Sequence, residues 1–394
     1  MKPIIVSLSH YPISTPLHGG QRRVAAISKL AQQSGFEFHH IPIFSLAGYP
    51  NANEVERQTT LPQAVLDELH QPGVREDVNF SRIVGPDHPL VEGVLQRIVD
   101  IEPDIIQFEH PWLFGLFSKE LRENEKLKTA KLVYSSHNVE TNLIGAHWTE
   151  EARAIEAEIV QAADLVVTVS KLDADVFDDW RGAGAKPSVV ASNGCWAPDL
   201  SDDHPPTKIL DSDYAIVVGS EHPPNAKGYW DCIGSVPGFL PPESHLVVAG
   251  GVNRLLRKDD RFLRFPRMNA EFVRSYESVA EETLSSLLYH AKAICLPITE
   301  GGGTNLKTAE ALMWLKPVVA MRHAMRGFEE AEGLSGIYIA DAPHQFRTLL
   351  RDVMVGTLGS ERTADSVAAY GWPSQLAPLM RAYEDLLRSE GGTA

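Results

Sequence analysis

The sequence predicts an α/β protein built on two parallel sheets. Short β-branched runs recur along its 394 residues, and each is followed by a longer segment of helical period. The runs are apolar almost throughout, as strands covered by helices on both faces must be. One proline- and aspartate-rich break divides them into two sets. A chain of this length exceeds one ordinary core, so two Rossmann-like domains are expected.

The first set comprises PIIVSLS from Pro3, DIIQFE from Asp104, KLVYSS from Lys131, DLVVTVS from Asp164 and PSVVAS from Pro187. The break, WAPDLSDDHPPTKILDSD from Trp196 to Asp213, has no periodicity and reads as a linker. Beyond it come YAIVVGS from Tyr214, HLVVAGG from His245, AICLPI from Ala293, KPVVAM from Lys316 and GIYIA from Gly336. The polar stretch from about Gly48 to Pro89 is longer than most loops and is taken as an insertion over one end of the first sheet. Near the end, Leu376, Leu379, Met380, Tyr383, Leu386 and Leu387 fall at helical spacing, so an amphipathic helix is expected to dock there. The expected division is 1–200, 201–372 and a terminal helix over 373–394.

A formal charge of −16 opposes a sequence-independent grip on nucleic acid, while leaving room for a small anion held by local cations. Three cysteines, Cys195, Cys232 and Cys295, without CxxC spacing fit a reducing compartment and no thiol metal site. The apolar burst in MKPIIVSLSHYPIS is too short for a signal peptide, and no window approaches the roughly 18 apolar residues of a spanning helix. A cytoplasmic location is expected.

The most suggestive stretch is TEGGGTNLKTAEAL, from Thr299 to Leu312. It follows an apolar strand, and Thr304 can cap a helix beginning NLKTAEALMWL. Gly301, Gly302 and Gly303 leave bare backbone N–H groups, and a helix N-terminus with free amides favours an anion, typically phosphate. Lys307 in the first turn opposes the helix dipole at a cost of ~0.3–1 kcal/mol, which an anion would reverse. The alternative is a surface pair between Lys307 and Glu310 at i,i+3 spacing. Leu306 stands where a P-loop needs glycine, and no GxGxxG follows the first strand, so neither an NTPase cradle nor a dinucleotide fingerprint is present. The first strand leads instead into HYPISTPLHGGQRRVAAI, with Gly19-Gly20 ahead of Arg22 and Arg23, which fit a solvated helix face.

Two DxD triplets invite a metal reading. Asp211 and Asp213 sit in the linker, and Asp173 and Asp175 fall in a helix that Ser170 caps, with Asp173 at the capping-box position, so no metal site is expected. Ligands of open parallel sheets bind beyond the carboxyl ends of the strands. Glu109-His110, Ser135 to Asn138, Gly219-Ser220 and Gly250-Gly251 all stand at such ends.

SSHNVE, ADLVVTVS, ASNG, VVGSEHPPNAKG, LVVAGG and above all LLYHAKAICLPITEGGGTNLKTAEALMWLKPVVA together resemble the retaining glycosyltransferases of the GT-B fold, group 1. The likeness runs over most of the chain and is similar to a subset of the family with a GGGT-x-LK-x-x-E donor loop. It implies two Rossmann-like domains facing across a cleft, with the C-terminal helix returning to the first. It further implies a nucleoside diphosphate sugar as donor substrate, held mostly by the second domain, and an acceptor held by the first. Glu310 matches the second glutamate of the family's E-x7-E motif, expected at the donor ribose. The first would fall at Gly302, where it is absent.

The resemblance implies donor contacts at Gly19, Gly20, Gly219, Lys227, Gly301, Gly302, Gly303, Thr304, Asn305, Lys307 and Glu310. Arg254 stands behind Lys227 and Lys307 as a third diphosphate cation. His137 aligns with a histidine expected near the transferred sugar, so His137, Lys307 and Glu310 are the catalytic expectations. Glu109 and His110 are expected at the acceptor, although Trp112, Leu113 and Phe114 beside them suggest a packing corner. Metal-free transfer with retention, completed by domain closure and serving polysaccharide or glycoconjugate synthesis, is what the family implies; no cofactor is expected. The acceptor, whether sugar, lipid-linked or a small molecule, is not readable, and peripheral membrane contact is left open. A nucleotide-sugar 2-epimerase of the same fold and a non-catalytic partner-binding protein are the alternatives.

Overall fold

A computed structural model of the chain describes residues 2–200, 206–301 and 304–388. The chain divides into two compact units, Met1–Ser192 with Gln375–Ala394, and Asn193–Ser374. In the first, β1 (Ile4–Ser9), β2 (Glu37–Pro42), β3 (Ile105–Phe108), β4 (Lys131–Ser135), β5 (Leu165–Thr168) and β6 (Val189–Val190) form one sheet in the order β2-β1-β3-β4-β5-β6. Every pairing in it is parallel. In the second, β7 (Tyr214–Val218), β8 (His245–Ala249), β9 (Val273–Tyr276), β10 (Ala293–Leu296), β11 (Val318–Met321) and β12 (Ile337–Ala340) pair in the order β12-β11-β10-β7-β8-β9, again all parallel. The expected α/β class is what the chain adopts.

Central strands are buried on both faces, which is why they read as continuous apolar runs: β3, β5, β10 and β11 are buried at every position. Two strands lacking that signature, β2 (EFHHIP) and β9 (VRSY), escape a reading based on apolar runs. Both lie at sheet edges, where one flank meets solvent and polar residues are tolerated.

Strand order fixes where ligands gather. In an open parallel sheet the crevice opens where the order reverses, beyond the carboxyl ends of the two strands concerned. In the first unit that point lies between β1 and β3, and in the second between β7 and β10. The loops after β1 and β3 carry Tyr11, Glu109 and His110; those after β7 and β10 carry Gly219 and the glycine loop.

The stretch expected as a polar insertion is more ordered than that. It holds the helices Gln63–Leu69 and Glu76–Val84, whose Val65, Leu66, Leu69, Phe80 and Val84 join the core cluster of Val6, Leu8, Ile106 and Phe108. Its apolar residues are diluted by charge on the outward faces, which hides the helical period. The terminal helix runs Trp372–Arg388, and residues 389–394 of the expected segment lie outside the described residues. In the first unit its buried Tyr383 packs edge-on against Phe36, with ring centroids 5.7 Å apart.

Candidate functional site

In the second unit the glycine loop leads into the helix Leu306–Met313, whose cap differs from the expectation. Asn305, not Thr304, is the N-cap, its side-chain oxygen accepting from the Lys307 N–H at 3.2 Å. Thr304 is buried and bonds elsewhere. Its Oγ1 accepts from the Asn193 N–H at 3.4 Å, and its carbonyl accepts from Asn193 Nδ2 at 3.1 Å. Both residue types cap well, so local sequence cannot choose between them. Gly302 and Gly303 lie outside the described residues. Gly301 adopts φ +133°, a conformation that favours glycine, and its carbonyl accepts from His323 Nε2 at 3.1 Å and Arg326 Nη1 at 3.4 Å.

Lys307 is half-buried, and Nζ donates to Asn225 Oδ1 at 2.6 Å. Burial pushes its ammonium down to about 8, against the raising influence of Glu310 one turn on. Glu310 is half-buried on the same helix. Asn225 belongs to the helix Pro223–Cys232, which presses on the start of the loop after β10 through Gly228: a Cβ there would stand 1.8 Å from the Pro297 carbonyl oxygen. Lys227 on the same helix is exposed and pairs with Asp231 at 3.0 Å and Glu300 at 3.3 Å, carboxylates that raise its pKa. Arg254 is likewise exposed and paired, with Glu221 at 2.8 Å and Glu277 at 3.8 Å. Gly219 follows β7, packed against Val252. Lys307 is therefore the member of the expected trio of cations whose bond is to a neutral group.

In the first unit, Glu109 is fully buried. It is not open to an acceptor hydroxyl as expected, because both its oxygens are engaged. Oε1 accepts from Ser7 Oγ and Gln107 Nε2, each at 2.7 Å, and Oε2 lies 3.2 Å from His137 Nε2. Burial alone would raise its carboxyl, but His137, Ser7 and Gln107 outweigh it and hold the group at about 2. Burial pushes the His137 imidazole down to about 4, with the His110 charge acting the same way and the Glu109 bond opposing. His110 lies with its ring centroid 4.7 Å from that of His137, its Nδ1 3.3 Å from Glu140 Oε1 and its Nε2 3.3 Å from the Tyr11 hydroxyl. Burial disfavours its charged form, but the Glu140 carboxylate raises its pKa overall.

Gly19 and Gly20 open the helix Gly19–Gln33, and a Cβ on Gly20 would sit 2.8 Å from the Tyr11 hydroxyl, so glycine lets Tyr11 close over this polar cluster. Arg23, for which a solvated helix face is one of two readings of the sequence, is 1 % exposed; Arg22 is the exposed neighbour. A guanidinium is tolerated there because Glu109 supplies opposite charge, although burial still pushes its pKa down to about 10.

Tyr11, Arg23, Asn193, Asn225, His323 and Arg326 are residues of these clusters that sequence reasoning misses. His323 and Arg326 follow β11, so the carboxyl-end rule would have found them. Nothing local marks Asn193 or Asn225, which matter through partners 111 and 82 residues away. Three of the four DxD aspartates serve structure: Ser170 Oγ donates to Asp173 at 2.7 Å, Asp175 pairs with Lys171, and Asp213 pairs with Lys292 at 2.8 Å. Among the described residues no group of three or more His, Cys, Asp or Glu side chains could hold a metal ion. No described helix is long and apolar enough to cross a membrane.

No curated protein matches the chain in sequence. Among solved structures, sucrose-phosphate synthase from Thermosynechococcus elongatus superposes with a TM-score of 0.72 at 15% identity, covering 99% of this chain and 100% of that one. Anabaena HepE in complex with UDP gives 0.65 at 15% identity, covering 98% and 100%. A candidate UDP-N-acetylglucosamine 2-epimerase from Listeria monocytogenes gives 0.60 at 13%, covering 100% and 98%. At such identities the likeness establishes the fold. Residues 212–354 match the profile of glycosyl transferases group 1, and the chain as a whole has the two-sheet architecture of the GT-B glycosyltransferases.

Proposed function

We propose that the protein is a retaining glycosyltransferase that moves a sugar from a nucleoside diphosphate sugar to an acceptor hydroxyl without a metal ion, in polysaccharide or glycoconjugate synthesis. The observation that carries this is Lys307. It is a cation drawn out of water at the positive end of a helix and held by the neutral amide of Asn225, and a diphosphate would restore the charge that burial weakens. The family match over residues 212–354 supports the same reading.

In this reading Lys307, the helix start at Asn305 and the loop amides stabilise charge on the departing diphosphate as fixed donors. Glu310 takes the ribose hydroxyls, His137 faces the sugar, and the second unit holds the donor while the first holds the acceptor. Lys227 would have to leave Asp231 and Glu300 to contribute, so it ranks behind Lys307. HepE has been solved with UDP and with UDP-glucose, which makes uridine donors the first to screen.

The test is thermal denaturation with a panel of nucleoside diphosphates and their sugar conjugates, followed by turnover with and without a chelator. The wild type should melt several degrees higher with its donor, Lys307→Ala and Glu310→Ala should lose most of that shift, and the chelator should leave turnover unchanged. If no conjugate shifts the melt, the donor-site reading is wrong. The structural likeness to a candidate 2-epimerase keeps a second reading in view. An epimerase would alter the donor sugar with no acceptor present, so product analysis separates the two, and turnover of either kind excludes a non-catalytic role.

A further inference from the structure

We propose that Glu109 is a positioning residue that locks His137 as its Nε2–H tautomer, and that it does so within a buried relay reaching back to Tyr383 of the terminal helix. The inference rests on His137 facing substrate, as proposed above, for its catalytic consequence alone; the relay itself stands on the geometry of the first unit.

The hydrogen-bond directions along the relay are forced. A carboxylate can only accept, so the Gln107 side chain must turn its Nε2 toward Glu109 Oε1, 2.7 Å away. That leaves Gln107 Oε1 facing the Tyr383 hydroxyl, which donates to it. Ser7, the register partner of Gln107 across β1 and β3, donates its own hydroxyl to the same Glu109 oxygen at 2.7 Å. With Oε1 committed to two donors, Oε2 takes the third, and His137 Nε2 at 3.2 Å must carry the hydrogen. In the neutral ring Nδ1 then has the free lone pair, ready to accept from a substrate hydroxyl. The whole chain is buried, since Ser7, Gln107, Glu109 and Tyr383 each have 0% exposure, so water does not compete for these bonds.

Glu109→Gln gives a sharp expectation. Ser7 and Gln107 still present two donors to one side, so the new amide places its oxygen there and its NH2 toward His137. Nε2 must then accept, and the ring inverts to Nδ1–H. If Tyr383 is also changed to Phe, Gln107 is free to turn, the amide loses its fixed orientation, and the two tautomers should coexist.

The experiment is 15N-histidine labelling of the full chain with two-bond 1H–15N spectra, His137 being assigned by its absence in His137→Gln. Wild type should show Nε2–H at pH 7 and stay neutral to about pH 5, Glu109→Gln should show Nδ1–H, and the double variant a mixture. Thermal melts of each variant check the fold. The titration is read with Arg23, Tyr11 and His110 intact, because these groups surround the ring, and with Glu140, which pairs with His110. Wild-type His137 found as Nδ1–H or protonated at pH 7 overturns the proposal without any variant, and retention of Nε2–H in Glu109→Gln overturns it with one. Turnover by Glu109→Gln should fall about tenfold or more as the acceptor nitrogen becomes a donor. If the spectra come out as expected but no donor is turned over, the relay stands and the transferase reading falls.

Discussion

Lys307 sits under two opposed demands, burial that favours its neutral form and a helix start that invites an anion. A bound diphosphate would raise its pKa above the value of about 8 that it has alone, so above pH 8 donor binding must take up a proton. Donor affinity is therefore expected to fall by about tenfold per pH unit above pH 8, and calorimetry in buffers of different ionisation heat should detect the proton. Lys307→Met should bind weakly with no slope in that range; a slope that survives the substitution would assign the proton elsewhere. The position of Lys307 is legible because glycines, a capping residue and a lysine stand together in sequence. The burial of Arg23 is not, because a charged residue next to the equally charged Arg22 gives no sign of which one turns inward. The answer lies in Glu109, 86 residues on, whose charge makes burial tolerable. Arg23→Leu should cost on the order of 1–3 kcal/mol in urea unfolding by removing the opposite charge near Glu109 and the donor to the Ser192 carbonyl, and a smaller cost in Arg23→Leu combined with Glu109→Gln would show the coupling.

Elements reveal a different limit. Strands that are buried on both faces announce themselves as apolar runs, whereas β2 and β9 at the sheet edges do not, and the helices of the 48–89 stretch hide a real core contribution behind charged outer faces. The contact between the helix Pro223–Cys232 and the loop after β10 is equally hidden, because a glycine inside VVGSEHPPNAKG reads as a loop residue until the Pro297 carbonyl is seen pressed against it. Gly228→Ala should push that helix outward, taking Asn225 away from Lys307. A loss of about 1–3 kcal/mol in stability is expected, together with weaker donor binding. Normal donor affinity in a destabilised Gly228→Ala protein would separate the packing of this helix from any part in the site.

For the whole molecule, buried histidines give the two units different responses to acid. Burial pushes His10 down to about 3, His137 down to about 4, and His40 down as well, all in the first unit. Each is neutral when folded and protonated when unfolded between its lowered pKa and 6.5, so in that window protons favour unfolding and stability is lost as pH falls. Glu156, raised to about 7 by burial, and His110, also raised, act in the opposite sense but are outnumbered. The first sheet is expected to lose on the order of 3 kcal/mol between about pH 6.5 and about pH 4. Hydrogen exchange followed separately in the two sheets would read it, and equal or greater protection of β1, β3 and β4 at pH 5 than at pH 7 would contradict the sign.

The bond between Tyr383 and Gln107 spans 276 residues of sequence, and it bears on how the chain is made. A ribosome delivers all six strands of the first sheet and then the entire second unit before it delivers Tyr383. Until that moment Phe36 lacks its aromatic neighbour and the buried Gln107 Oε1 lacks its donor. During synthesis the early half is therefore expected to close fully only after the later half has been delivered, reversing the usual order in which domains mature on the way out. Stalled nascent chains ending before Gln375 should be cut by protease within the first unit while the second resists, and release of the full chain should abolish the difference.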